Sequence, residues 1–208
     1  MKRKIIPALI AQSQRELEDR FNKVKNYTSW FHIDVMDGKF VENKSNWFDF
    51  KLPKTHSYEI HLMVDDPLKW TKENYSKGDL IMANIERLND PGQFIELLKS
   101  KNKKKGFAIN PETEVSVVTS YLESIEQVNI LCVSPGRYGT SFLHYPTRKI
   151  ENLRGIFSKD IEADGSQNPD TISKTINAGA NIIVVGSYIQ NSPDVKSTMK
   201  QLKQIVKI

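Results

Sequence analysis

The sequence predicts an α/β protein, a (β/α)8 barrel of the TIM type, with residues 1–208 forming one domain. Three observations predict it. Apolar strand segments alternate with amphipathic helical segments eight times, which requires parallel strands joined by right-handed crossovers. Eight such units in 208 residues fit a small closed barrel. The main rival, an open doubly wound sheet, would carry a glycine-rich nucleotide fingerprint after its first strand, and Ala8 to Ser13 holds no glycine.

The elements follow in order. The first strand spans about Lys4 to Ile10, and Leu17, Phe21 and Val24 mark a helix over Ser13 to Asn26 by their helical spacing. The second strand is Trp30-Phe31-His32-Ile33-Asp34-Val35-Met36-Asp37-Gly38, which ends in a turn, and a longer loop runs on through Phe40, Val41, Asn43 and Trp47. The third strand, Ser57 to Val64, precedes a helix opened by Asp66-Pro67 and stopped at Gly78. The fourth, Asp79 to Glu86, precedes a helix opened by Asp90-Pro91. The fifth, Gly106 to Asn110, closes at Pro111, and a helix is expected from about Val115 to Glu126. The sixth, Val128 to Val133, ends in Ser134-Pro135-Gly136, with a helix over Thr147 to Phe157. The seventh, Asp160 to Asp164, leads to a helix over Pro169 to Ala180 with Asn168 as its cap. The eighth, Asn181 to Val185, runs into Gly186-Ser187, and a last helix starts near Pro193.

Composition narrows the class. Apolar residues make up 38% and charged residues 26%, a globular balance. No apolar run is long enough to span a bilayer, and Pro7 and the polar Gln12-Ser13-Gln14-Arg15 break the short apolar start, so neither a membrane partner nor a signal peptide is expected. One cysteine, Cys132, excludes an internal disulfide framework and suits a reducing, cytoplasmic setting. The net charge of +5 could help draw in an anionic substrate, although a basic solvated surface accounts for it equally well. The densest basic run, Lys101, Lys103, Lys104 and Lys105, has no interleaved aromatic residue and reads as a solvated turn, not a nucleic-acid surface.

In a barrel of this kind chemistry sits at the carboxyl ends of the strands. Side chains alternate along a strand, so His32, Asp34 and Met36 share one face of the second strand. His61 approaches the end of the third strand, and Asp164 ends the seventh. Two imidazoles and two carboxylates therefore converge on one mouth. That set is complete for Zn2+ and also suits Fe2+, Mn2+ or Co2+. A metal there would polarise a carbonyl and its neighbouring hydroxyl, and two carboxylates on opposite sides of a carbon could exchange its proton from opposite faces. Gly165-Ser166 after the seventh strand and Gly186-Ser187 after the eighth lie on the two loops that usually grip phosphate in such barrels, and Gly136 and Gly139 after the sixth allow close backbone approach.

These residues resemble one family, ribulose-phosphate 3-epimerase and its relatives. The matching stretches are His32 to Gly38 with Phe40-Val41 and Asn43, His61-Leu62-Met63-Val64 with Pro67, and Asn110-Pro111-Glu112-Thr113. Ser134-Pro135-Gly136 matches more loosely, and Ile161-Glu162-Ala163-Asp164-Gly165, Asn168-Pro169, Ala178-Gly179-Ala180 and Val185-Gly186-Ser187 complete the series in the family's order. The resemblance implies one divalent metal, usually zinc or iron, held by His32, Asp34, His61 and Asp164. It implies that Asp34 and Asp164 also serve as the two acid/base groups at C3, that Met36 and Met63 line the reacting face, and that Gly165, Ser166, Gly186 and Ser187 hold the phosphate. It implies a small phosphorylated ketose as substrate and a homo-oligomer.

The chain departs from the family pattern at several positions. Ala8 stands where the family usually has a serine, Asn84 where it often has a histidine, and Leu131 where it has a methionine. The loop usually written Pro-Gly-Phe-Gly-Gly-Gln reads Pro135-Gly136-Arg137-Tyr138-Gly139-Thr140. Ser166 replaces a second glycine, as it does in hexulose-phosphate relatives. The expected activity is therefore interconversion of D-ribulose 5-phosphate and D-xylulose 5-phosphate. The alternatives are 3-epimerisation of D-allulose 6-phosphate, or a phosphosugar-binding barrel that has lost turnover. The metal-free decarboxylases on similar barrels normally have a lysine near the second-strand acid, and here Lys39 lies past the turn.

Overall fold

Alternation along single strands builds the two layers of this molecule. In β2 (Trp30–Asp37), Phe31, Ile33 and Val35 are buried in the main apolar cluster with Leu17, Phe21 and Val24, while His32, Asp34 and Met36 face the other way. The same division holds in β4 (Ser57–Met63), where Tyr58, Ile60 and Leu62 join that cluster and Glu59, His61 and Met63 do not. Apolar residues on the outer face pack beneath helices, and each large one that is fully buried contributes about 1.5–3 kcal/mol. The inner face carries the polar groups, together with Met36 and Met63. The computed structural model describes residues 2–136 and 140–207.

The remaining strands are β1 (Lys4–Leu9), β5 (Leu80–Asn84), β6 (Lys104–Ile109), β7 (Gln127–Leu131), β8 (Asp160–Asp164) and β9 (Ile182–Val185). All pair in parallel in the order β1, β9, β8, β7, β6, β5, β4, β2, and β1 also pairs with β2, which closes the barrel. The closing register sets Ala8 beside His32 on one side and Lys4 beside Ile182 on the other. A two-residue strand not anticipated from sequence, β3 (Lys44–Ser45), pairs antiparallel with the end of β2, setting Met36 opposite Ser45.

The helices are α1 (Gln14–Val24), α2 (Pro67–Asn74), α3 (Pro91–Ser100), α4 (Pro146–Arg154), α5 (Pro169–Asn177), α6 (Ser187–Gln190) and α7 (Val195–Val206). Their starts are chemically marked. Ser13, Asp66, Asp90, Asn168 and Asp194 each accept a backbone N–H of the first turn, and a proline opens α2, α3, α4 and α5. The expected cap Asn168 forms a full capping box with Thr171.

The α-helix expected over Val115 to Glu126 is instead a 3-10 segment, Val115–Ser124. Its start, Val115-Ser116-Val117-Val118-Thr119, is rich in β-branched residues that resist α-helical packing. Its buried residues Val115, Val118 and Leu122 fall three and four apart, so the apolar spacing by itself does not separate a 3-10 from an α-helical turn. β6 starts at Lys104, two residues earlier than Gly106, so part of the basic run belongs to a strand. Lys103 Nζ donates to the Gly78 carbonyl at 2.8 Å, and Lys105 pairs with Glu126 at 3.2 Å. Among the described residues no helix is long and apolar enough to cross a membrane.

Candidate functional site

The register of neighbouring strands brings the predicted ligands together. β2 and β4 pair with Asp34 beside His61, and β8 ends in Asp164 on the far side of the barrel. Both imidazoles are fully buried, and Asp34 is 5% exposed. His32 Nε2 lies 3.1 Å from Asp34 Oδ1, and His61 Nδ1 lies 3.2 Å from the same oxygen. Asp164 Oδ2 is 3.9 Å from His32 Nε2 and 3.8 Å from His61 Nδ1. One donor atom from each of the four residues lies within 4.8 Å of the others.

The far side of each ring is already satisfied. His61 Nε2 is 3.0 Å from Asn84 Oδ1, and the Asn84 amide donates to Asn110 Oδ1 at 2.7 Å, which fixes which end of Asn84 accepts. His32 Nδ1 is 2.8 Å from Glu59 Oε1. With those N–H groups turned outward, each ring offers its other nitrogen to a carboxylate oxygen. Lone pairs facing lone pairs need positive charge between them, supplied by protons or by a cation. The donor set therefore fits a divalent cation held by His32, Asp34, His61 and Asp164.

Electrostatics separate the two aspartates. Burial pushes the Asp34 carboxyl up, but the His32 charge and hydrogen bonds from His32 and His61 outweigh it and hold the group well below the usual range. Burial also pushes Asp164 up, and there the Asp34 charge adds to the rise, so its carboxyl sits above the usual range despite both imidazoles. Burial alone would lower the His32 imidazole, yet the Asp34, Glu59 and Glu162 carboxyls around it raise it well above its ordinary value.

A cavity opens above this cluster. Asp34, Asp164, Met36, Met63, Gly136, Gly165, Ser166, Gly186 and Ser187 all line it. His32 and His61 sit buried beneath its floor. Gly139 lies outside the described residues. Met36 and Met63 are 5% and 4% exposed and pack with Val41, with Ile10 and Phe40 against them, as an apolar wall. Ala8 and Leu131, the departures noted in the sequence, also line the cavity. Gly165 adopts φ +102°, and a Cβ there would sit 2.4 Å from Val133 Cγ2, so only glycine fits the turn. Ser166 has φ +50°, and its hydroxyl donates to the Thr140 carbonyl.

Several inward-facing polar residues were not singled out from the sequence. Asn46 donates to the carbonyls of Leu9 and Asp34, each at 2.9 Å, and so ties the ends of β1 and β2 together. Asn129 Nδ2 reaches Asp164 Oδ2 at 3.5 Å. Glu59 and Glu162 lie two residues before His61 and Asp164 on the same inner faces, and period-two alternation could have found them.

The model of the ribulose-phosphate 3 epimerase family matches residues 4–190. The chain belongs to the ribulose-phosphate 3 epimerase family. This family consists of isomerases, and its match spans every barrel strand. The chain is 29% identical over 222 residues to the ribulose-phosphate 3-epimerase of Eremothecium gossypii, covering 98% of this chain and 92% of that protein. It is 29% identical over 212 residues to the Bacillus subtilis ribulose-phosphate 3-epimerase, covering 96% and 98%. Among solved structures, a 3-hexulose-6-phosphate synthase superposes with a TM-score of 0.72 at 14% identity, covering 97% of this epimerase-family chain and 99% of that one. At that identity the likeness bears on the barrel fold alone.

Proposed function

We propose that the chain is a metal-dependent sugar-phosphate 3-epimerase that interconverts D-ribulose 5-phosphate and D-xylulose 5-phosphate. One observation carries the reading: carboxylates from β2 and β8 meet the same two imidazole nitrogens at the floor of one cavity. Family membership and the names of the full-length relatives support it.

His32, Asp34, His61 and Asp164 would hold the ion, with Zn2+ the best match and Fe2+, Mn2+ or Co2+ compatible. When bound, the ion would supply positive charge that stabilises the electron-rich form of the substrate after its C3 proton leaves. Asp34 and Asp164, which reach the cavity floor from β2 and β8, would form the pair of which one takes the C3 proton and the other returns one. Reaction in the reverse direction exchanges these roles. Met36 and Met63 would keep water from the reacting carbon. The phosphate would lie against Gly165, Ser166, Gly186 and Ser187 at the other side of the cavity. Because the Ser166 hydroxyl is engaged by Thr140, Ser166 would contribute its backbone N–H.

The test is turnover of both pentulose phosphates by protein of known metal content, with D-allulose 6-phosphate assayed in parallel. Epimerisation of the pentulose pair is expected. A preference for the hexulose phosphate would move the substrate assignment, and binding of either sugar without turnover would leave a phosphosugar-binding barrel.

A further inference from the structure

Beneath the four candidate ligands lies a second, wholly buried polar layer. Glu59, Gln127 and Glu162 come from β4, β7 and β8, and none is more than 2% exposed. Gln127 Nε2 donates to Glu59 Oε2 at 3.3 Å and to Glu162 Oε2 at 2.9 Å. Both carboxyls are thus held by the same amide. The remaining Glu59 oxygen faces His32 Nδ1 at 2.8 Å, and Glu162 Oε1, which has no hydrogen-bond partner, stands 3.5 Å from the same nitrogen. A buried carboxyl pair with an amide wedged between them is costly unless every contact is met, so a barrel filled by apolar side chains would be the easier solution.

We propose that Glu59 is a positioning residue for the metal site, held in place by Gln127 and Glu162. It rests on the metal reading above. Glu59 accepts the Nδ1 proton of His32, which fixes the ring plane and makes Nε2 the nitrogen that faces Asp34 and Asp164 and would take the ion. Gln127, itself anchored on Glu162, donates to the other Glu59 oxygen and so keeps the carboxylate from rotating away from the ring. His32 thus has one usable ligand nitrogen, chosen from below by three other strands.

The test uses 15N-histidine-labelled, zinc-loaded protein and reads the imidazole nitrogens by NMR. The expected spectrum for His32 has a proton on Nδ1, protected from exchange, and a metal-shifted Nε2. A His32 with Nδ1 bare, or with its proton on Nε2, overturns the proposal, and this measurement needs no variant. A second arm measures zinc affinity of E59Q by chelator competition, with far-UV circular dichroism as the check on folding. E59Q is expected to bind zinc about 10–100-fold more weakly. Folded E59Q with affinity within about threefold of the parent protein overturns the positioning role. Parent protein that binds no zinc contradicts instead the metal reading on which the proposal rests.

Discussion

Asp34 and Asp164 show how much one residue type can be divided by its surroundings. Both are inside the barrel, yet two near imidazoles hold one charged while burial and its neighbour's charge push the other up. A two-acid mechanism needs both, so Asp34→Asn and Asp164→Asn are each expected to lower epimerisation by about 100- to 10,000-fold. Steady-state turnover in both directions checks this, and full activity in either variant would remove the two-acid account. Cys132 marks the opposite case, a reactive residue type without chemistry. Burial, and then the Asp164 charge, push its thiol up, and it is fully buried. Its alkylation in native protein should run at least about 100-fold slower than in denatured protein, and a comparable native rate would show the wall around it to be open. At this scale the four clustered side chains were legible because His32, Asp34, His61 and Asp164 sit toward strand ends. Their supports were less so. Glu59 and Asn84 can be placed on the inner face by parity, but which imidazole nitrogen each meets depends on strand stagger around the closed barrel.

At the scale of elements, the strand–helix alternation was readable from apolar period and from proline and asparagine or aspartate at helix starts. The 3-10 segment was not, because a three-residue and a 3.6-residue apolar pattern coincide over so short a stretch. Nor was β3, which has only two residues and exists by pairing with the end of β2. A further tie escapes local reading altogether. Lys149 of α4 is 8% exposed and donates its ammonium to the carbonyls of Asn110, Pro111 and Thr113, pinning the turn after β6. Lys149→Met should destabilise the fold by about 1–3 kcal/mol in urea unfolding, because it strips those carbonyls of their donor. An unchanged midpoint and slope would mean that water replaces the lysine at no cost. On β4, Tyr58 donates to the Pro53 carbonyl at 2.7 Å. Burial, and then the Asp79 charge, push its phenol up to about 12. A raised folded-state value means the proton is held more tightly in the folded chain. Its contribution is complete below about pH 10 and is lost as pH rises through about 12. Tyr58→Phe should flatten that part of the stability–pH curve, and an identical alkaline limb in both proteins would contradict the coupling.

The whole molecule places its chemistry by closing one sheet. β1 bonds to both β2 and β9, and only closure sets Asp164 of β8 opposite Asp34 of β2. A site shared by strands this far apart in sequence exists only in the folded chain, so an ion bound there would be linked to stability. Zinc at 100 times its dissociation constant should stabilise the fold by about 2.7 kcal/mol, read as a chelator-reversible rise in melting temperature. No shift on zinc addition would argue against a site formed by folding. The most direct test of the central claim is solvent deuterium entry at C3. Metal-loaded protein turning over D-ribulose 5-phosphate in heavy water should place deuterium at C3 of both epimers. Bound metal with no deuterium at C3 of either sugar would contradict it.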